Sequence, residues 1–437
     1  MKRYLAVDLG ASSGRHIVGW RENGRIQTQE VYRFPNAMQR RDGHLVWDTG
    51  RLLSEVKNGL RAAFAAFGEE IESFSVDAWG VDYVLMSGDE ERSPCFAYRD
   101  GRTQNTMPLV HGAVPFSELY THTGCQCQPF NTIYQLYDDL LRGRLKDVTD
   151  FLMIPEYLLY KLTGVRAKEY TNATTTGLVN PETGRFDEEI IRRLRLPDRL
   201  FPETAPPGTA LGTLLPEVAA ETGGQCRAVL CATHDTASAV HGIPMDEGDG
   251  IYISSGTWSL VGVKTPEPII SSAGMRMNCT NEGGVGYNRY IRSSMGLWLV
   301  QRLRAELCPE LGFGDVVKEA EQSGFELRVD ADSPFFYSPD SMKMAFDRAL
   351  GFIPQDRGDY FRCAFLSLAE SYRRAVEDIE LSSGRAYERI YIVGGGAKNG
   401  FLNSLTGLST GKSVIALPIE ASALGNLKVQ MEADGVM

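Results

Sequence analysis

The chain has 437 residues, 43% of them hydrophobic, enough for two or three domains with their own cores. Its formal net charge of -11 excludes nucleic acid or an anionic membrane as a general partner, because neutralising phosphates needs clustered Lys and Arg. Any anionic ligand must therefore be held locally, by backbone amides and a few placed cations.

At the N-terminus "MKRYLAVDLG" reaches Asp8 before a signal-peptide core can form, and no later run approaches the ~20 apolar residues of a membrane span. Arg3–Gly10 reads as a strand, Ala11–Gly14 as a tight turn and Arg15–Trp20 as a second strand; Arg21–Gly24 turns the chain into a third, Arg25–Phe34. Over Asp48–Phe67 the residues Leu52, Leu53, Val56, Leu60, Phe64 and Phe67 recur on one helical face, and Ile71–Gly80 is the next strand. Residues from about 100 to 225 are richer in loops and proline, as in "TAPPGTALG", and are expected to form an insertion that shapes a substrate pocket. The strand "AVLCAT", Ala228–Thr233, leads into a helix beginning around Thr236.

Gly, Pro and acidic residues over Gly242–Gly250 break both patterns and divide the chain into domains of residues 1–243 and 244–437. Gly250–Lys264 repeats the strand, hydroxylic turn and strand of the N-terminus, which points to an internal duplication. A helix over Asp359–Leu381, a strand over Arg389–Gly396, a helix from Ala397, a strand over Lys412–Pro418 and a last helix from Glu420 follow. This alternation implies an α/β sheet in each half. The eight cysteines show no C-x-x-C spacing, and His122 alone stands near Cys125-Gln-Cys127, so structural thiols in a reduced, cytoplasmic protein are expected.

Two glycine motifs do not qualify as nucleotide fingerprints. "GLSTGKS", Gly407–Ser413, has three residues between its glycines where a P-loop needs four, and it leads into a strand. "VGGGAKNG" lacks the dinucleotide spacing. Four other features belong together: "DLGASSGR", "THDTAS", "SSGTWS" and the same "VGGGAKNG" each follow or join strands, and their small residues let backbone N–H groups approach an anion. Asp235 in "THDTAS" stands at a helix start, where an ionised carboxylate is favoured and can accept a hydroxyl proton while orienting the oxygen. An N-cap serving only the helix is the competing role.

These loops resemble the phosphate and adenosine loops of the sugar kinase, heat-shock ATPase and actin superfamily. Their order, with "DAWGVDYVLM", "AYRDGRT", "PFNTIYQL", "EYTNATTTGLVN", "TNEGG", "MGLWLVQ" and "EASALGN", resembles the FGGY carbohydrate kinases from residue 5 to 426, most closely the members that act on L-rhamnulose. The resemblance implies an α/β fold of two ribonuclease-H-like domains of the actin/hexokinase type, with a cleft between them. It implies transfer of phosphate from ATP, with Mg2+, to the 1-hydroxyl of L-rhamnulose; another ketose or polyol, or a non-catalytic sugar or nucleotide sensor, stays open.

By the same resemblance Asp235 is the catalytic base, and Gly80, His234, Thr236 and Ser293 contact the sugar. Ser293 stands where the L-rhamnulose kinases have Asn, so one contact is shorter or lost. Ala11, Ser12, Ser13, Gly14 and Arg15 wrap the phosphates, Thr257 matches them from the second hairpin, and Gln301, Gly395 and Gly396 lie towards the nucleoside. Asp8 orients magnesium through water, and Trp79 is either a sugar neighbour or core packing. Relatives continue beyond the equivalent of Met437, so Ala423, Leu424, Leu427, Val429 and Met431 are expected to line the nucleotide-bearing domain with some apolar surface exposed or covered by another chain.

Overall fold

The computed structural model describes residues 1–417 and 420–437. Strand β1, Arg3–Leu9, is buried from Tyr4 onwards, as its nearly unbroken apolar run requires of a central strand. The turn after it returns the chain as β2, Ser13–Glu22, antiparallel with Asp8 opposite Arg15, and β3, Arg25–Pro35, continues the meander. Helix α1, Thr49–Phe67, starts where the Asp48 side chain accepts a hydrogen bond from Arg51 N at 2.9 Å. Leu52, Val56, Leu60 and Phe64 are buried, whereas Leu53 and Phe67 lie at the edge of the same face. The helix delivers β4, Ile71–Ala78, parallel to β1, with Asp77 beside Asp8.

Strands β5, Ala210–Thr213, and β6, Arg227–Val229, complete a six-stranded sheet of order β5-β6-β4-β1-β2-β3. Helix α2, Asp235–Gly242, ends this half. The second half opens with the hairpin β7, Ile251–Ser255, and β8, Trp258–Thr265, followed by β9, Cys279–Gly283, β10, Asn288–Met295, and α3, Trp298–Leu307. The long α4, Arg357–Ser383, then packs beneath the sheet, and β11, Arg389–Val393, α5, Gly400–Thr410, and β12, Ser413–Ala416, lead to α6, Ala421–Ala433. The second sheet has the order β9-β10-β8-β7-β11-β12. In each sheet the first strand of a hairpin is flanked by a parallel strand that arrives from a helix.

Several elements differ from their sequence expectation. The strand expected over Ala228–Thr233 pairs only as far as Val229; beyond it the chain is held by Ala78 N donating to Thr233 O at 2.9 Å. The insertion stops short of residue 225, because β5 already belongs to the main sheet; before it the chain folds mainly as helices around its own apolar cluster, which includes Tyr83, Leu136 and Phe151. The helix expected from Ala397 is a single tight turn over Gly395–Lys398, and α5 begins after Asn399, whose side chain accepts from Leu402 N at 3.0 Å. The strand expected over Lys412–Pro418 is Ser413–Ala416, and Pro418 lies outside the described residues.

The last helix corrects the largest expectation. Its stripe of Ala423, Leu427 and Met431 packs against Tyr4, Ala6 and Ile17 of the first sheet, not against the second domain. Ala423, Leu427, Val429 and Met431 are buried and Leu424 is half-buried, so the chain itself covers the surface expected to be exposed or covered by another chain. The helix crosses α2 so closely that a Cβ on Gly425 would sit 1.7 Å from Ser238 O. Asp434 fastens its end to the first sheet, accepting from Lys2 Nζ at 2.7 Å and Tyr4 Oη at 2.9 Å.

Candidate active site

The end of β4 runs into Trp79-Gly80-Val81-Asp82, a loop whose backbone is strained: Val81, a β-branched residue, has φ 68°. The surroundings over-determine it. Val81 N donates to Thr175 Oγ1 at 3.2 Å, while its carbonyl accepts from Thr132 Oγ1 at 2.8 Å and Gln135 Nε2 at 3.1 Å. Gly80 has to be glycine here, since a Cβ would come within 2.9 Å of Thr175 Oγ1. Asp82 accepts from Trp47 Nε1 at 2.7 Å, Trp79 Nε1 at 2.9 Å and Tyr98 N at 3.0 Å. Burial pushes its carboxyl up to about 6 despite these donors. Trp79 is thus both core and cleft wall: its indole is locked to Asp82 while the residue lines the cleft.

Beside this loop stands the start of α2. Its approach is fixed by the buried Glu169 carboxylate, which accepts from Thr233 Oγ1 at 2.7 Å and Thr233 N at 3.1 Å. Ala78 and His234 form a parallel bridge, so the ends of two strands place His234, Asp235 and Thr236 at one rim. Asp235 is the first helical residue, and its Oδ1 accepts from Thr236 Oγ1 at 3.1 Å. His234 Nε2 lies 3.6 Å from the same oxygen.

Of these residues Trp79, Gly80, Val81, Tyr98, Thr175, His234, Asp235 and Thr236 line a cleft of about 350 Å³ between the two sheets. Ala11 and Ser12 reach it from the first hairpin, Gly256 and Thr257 from the second, and Ser293 and Glu282 from the strands beyond. The remaining sequence candidates lie around it rather than in its wall. Ser13 and Gly14 begin β2, and Gly14 leaves room for the Phe34 ring, whose Cζ would be 2.3 Å from a Cβ. Arg15 Nε donates to Asp8 Oδ2 at 2.8 Å. Burial raises the Asp8 carboxyl, Arg15 offsets this only partly, and Asp235 adds to it. Asp77, fully buried on the adjacent strand, is also raised, chiefly by burial; Asn426 Nδ2 donates to its Oδ2 at 2.6 Å, and Oδ1 has no partner among the described residues. Gln301 lies on α3, and Gly395 and Gly396 form the turn after β11, which runs parallel beside β7.

Residues 3–242 match the model of the FGGY family of carbohydrate kinases, N-terminal domain, and residues 251–433 match its C-terminal domain. The chain belongs to the FGGY family of carbohydrate kinases. This carbohydrate kinase is 41% identical to the rhamnulokinase of Oceanobacillus iheyensis over 98% of its own length and 93% of the relative's. It is 38% identical to the rhamnulokinase of Bacillus subtilis over 98% and 89% of the two chains. Its fold matches a ligand-bound xylulose kinase from Lactobacillus acidophilus with a TM-score of 0.83 at 15% identity, covering 100% of this chain and 90% of that one. Plasmodium falciparum glycerol kinase with ADP gives 0.79 at 12% identity, with coverage of 100% and 90%. The two-domain α/β architecture is therefore that of the sugar kinases, and ATP is the phosphoryl donor. Among the described residues no helix of this carbohydrate kinase is long and apolar enough to cross a membrane.

Asp82, Glu169 and Glu282 escape sequence reasoning. "WGVD", "EYTNATTTG" and "TNEGG" stand out as motifs, yet nothing local in them tells a buried carboxylate from a solvated one.

Proposed function

We propose that this carbohydrate kinase transfers the γ-phosphoryl group of ATP to the 1-hydroxyl of L-rhamnulose. The observation that carries the reading is the meeting of Asp235 with the turns of both hairpins at one cleft; the sugar's identity rests on the rhamnulokinase relatives, which match over 93% and 89% of their own length. Asp235 accepts the hydroxyl proton and aims the oxygen at the phosphorus, while Thr236 holds its other carboxylate oxygen in place. Phosphoryl transfer is loose and largely dissociative, so aim and electrostatics outweigh early proton abstraction. Gly80, His234, Thr236 and Ser293 contact the sugar. Ala11, Ser12, Ser13, Gly14, Arg15 and Thr257 address the phosphates, and Gln301, Gly395 and Gly396 address the nucleoside. Residues 1–243 and 244–437 form the two gripping halves, the second lending its last helix, α6, to the sheet of the first, and the reading places the enzyme in the cytoplasm, where ATP is available.

Magnesium fits as a companion of the nucleotide rather than a resident ion. Among the described residues no group of three or more His, Cys, Asp or Glu could hold a metal, but Asp8 and the unpartnered Oδ1 of Asp77 lie on adjacent strands close to the phosphate turn. Mg2+ keeps several waters and takes much of its shell from phosphates, so Asp8 would hold it through water. When bound, it neutralises charge on the phosphoryl oxygens.

The test is ATP-dependent phosphorylation across L-rhamnulose, L-fuculose, D-xylulose, L-ribulose and glycerol. L-Rhamnulose should give the highest kcat/KM. Ser293 favours the competing reading, another ketose or polyol, and a clear preference for xylulose or glycerol would establish it.

A further inference from the structure

Glu282 stands in the second half of the molecule, on β9, yet it lines the cleft beside Asp235. It is almost fully buried, with 6% of its surface exposed. A carboxylate in such a place must be compensated. Arg289, itself wholly buried, supplies the charge: its Nη2 donates to Glu282 Oε2 at 3.0 Å, and its Nε donates to Gly283 O at 2.8 Å. His234 Nδ1 lies 3.2 Å from the same Oε2. Burial alone would raise the Glu282 carboxyl; Arg289 and His234 outweigh burial and hold it below the usual range.

Among the described residues both partners converge on Oε2, which leaves Oε1 as the atom available to a bound molecule. The strand that carries Glu282 cannot easily withdraw it. Asn281 N donates to Gly124 O at 2.9 Å and Gly283 N to Thr174 Oγ1 at 2.9 Å, so the residues on either side are bonded to the first half.

We propose that Glu282 is a specificity-determining residue of the acceptor site: its Oε1 accepts a hydrogen bond from a sugar hydroxyl other than the one that is phosphorylated. The inference rests on the sugar-kinase reading of this cleft. A buried ionised acceptor favours a ligand that brings a hydroxyl donor to that point, and it penalises an analogue that leaves the carboxylate unpaired. The nucleotide phosphates, being anionic, are unsuitable occupants of the same point.

The experiment measures kcat and KM of the wild type and of Glu282→Gln with the ketose the wild type prefers and with its monodeoxy analogues, ATP being saturating. For one analogue the wild type should lose roughly 10- to 100-fold in kcat/KM, the range for a hydrogen bond to a charged group. In Glu282→Gln that single penalty should collapse to within about 3-fold, the other penalties and the KM for ATP staying as they are. Should the single variant fail to fold, Glu282→Gln combined with Arg289→Met removes both charges together and supports the same comparison. A different preferred ketose would refute the L-rhamnulose assignment and leave this comparison intact. Unchanged deoxy penalties in the variant, or a defect seen only in the KM for ATP or the magnesium requirement, would overturn the role of Glu282.

Discussion

Gly425→Ala puts one methyl group into the crossing of α6 with α2. The new Cβ would lie 1.7 Å from Ser238 O, 2.6 Å from Ser238 C and 3.0 Å from Gly242 N, whereas ordinary contact begins at 3.4 Å. All three are backbone atoms, so no rotamer change relieves the clash and one helix has to retreat by roughly 1.7 Å. Retreat of α6 opens its contact with Tyr4, Ala6 and Ile17; retreat of α2 moves Asp235, three residues before Ser238. Overpacking of this kind costs about 1–3 kcal/mol, and a displacement of ~1 Å at a reacting group can cost 10²-fold in rate. The assay is the thermal midpoint by calorimetry together with kcat and KM for both substrates, compared with Gly407→Ala on α5. At Gly407 the nearest non-local atoms to a new Cβ are 3.5 Å away, so that variant should be neutral or gain a few tenths of a kcal/mol from helix propensity. Wild-type stability and turnover in Gly425→Ala would refute the reasoning, because the crossing would then have slack that the geometry does not contain.

Asp235→Asn should retain nucleotide binding and lose roughly 10²–10⁴-fold in turnover, the range for a general base; near wild-type turnover in a single-turnover assay would reduce Asp235 to a helix terminus. Asp434→Asn tests the clasp at the end of α6. Although burial opposes it, the hydrogen bonds from Lys2, Arg227 and Tyr4 hold the Asp434 carboxyl down at about 2, against an ordinary 3.8. A depressed carboxyl stabilises the fold above its unfolded value and loses that contribution as pH falls through the folded one. The variant should therefore be about 1–2 kcal/mol less stable at pH 7, discounted because Lys2 is half-exposed, and the gap should close between about pH 4 and pH 2. A gap that is constant or widens on acidification would exclude this linkage. Since cleft walls come from both halves, sugar with a nonhydrolysable ATP analogue should lower the radius of gyration in small-angle scattering; an unchanged profile would argue against closure.

Local pattern determined a good part of this molecule. The two hairpins, α1, α4 and the Asp235 helix are written in alternation, in a 3.6-residue stripe, and in turn residues that act within a few positions of themselves. The order of the small-residue loops points to the family for the same reason: close approach of backbone to phosphate needs particular residues at particular points. Tertiary structure decided what depends on partners far along the chain. The stripe of α6 shows that it must bury one face, but only packing shows that the face is the first sheet, more than four hundred residues back at Tyr4 and Ala6. Likewise Glu282 and Arg289 read as unremarkable polar residues in "TNEGGVGYNR" until the fold seals them beside His234. A charge's role follows from its desolvation and its neighbours, and those are properties of the packed interior rather than of the sequence around it.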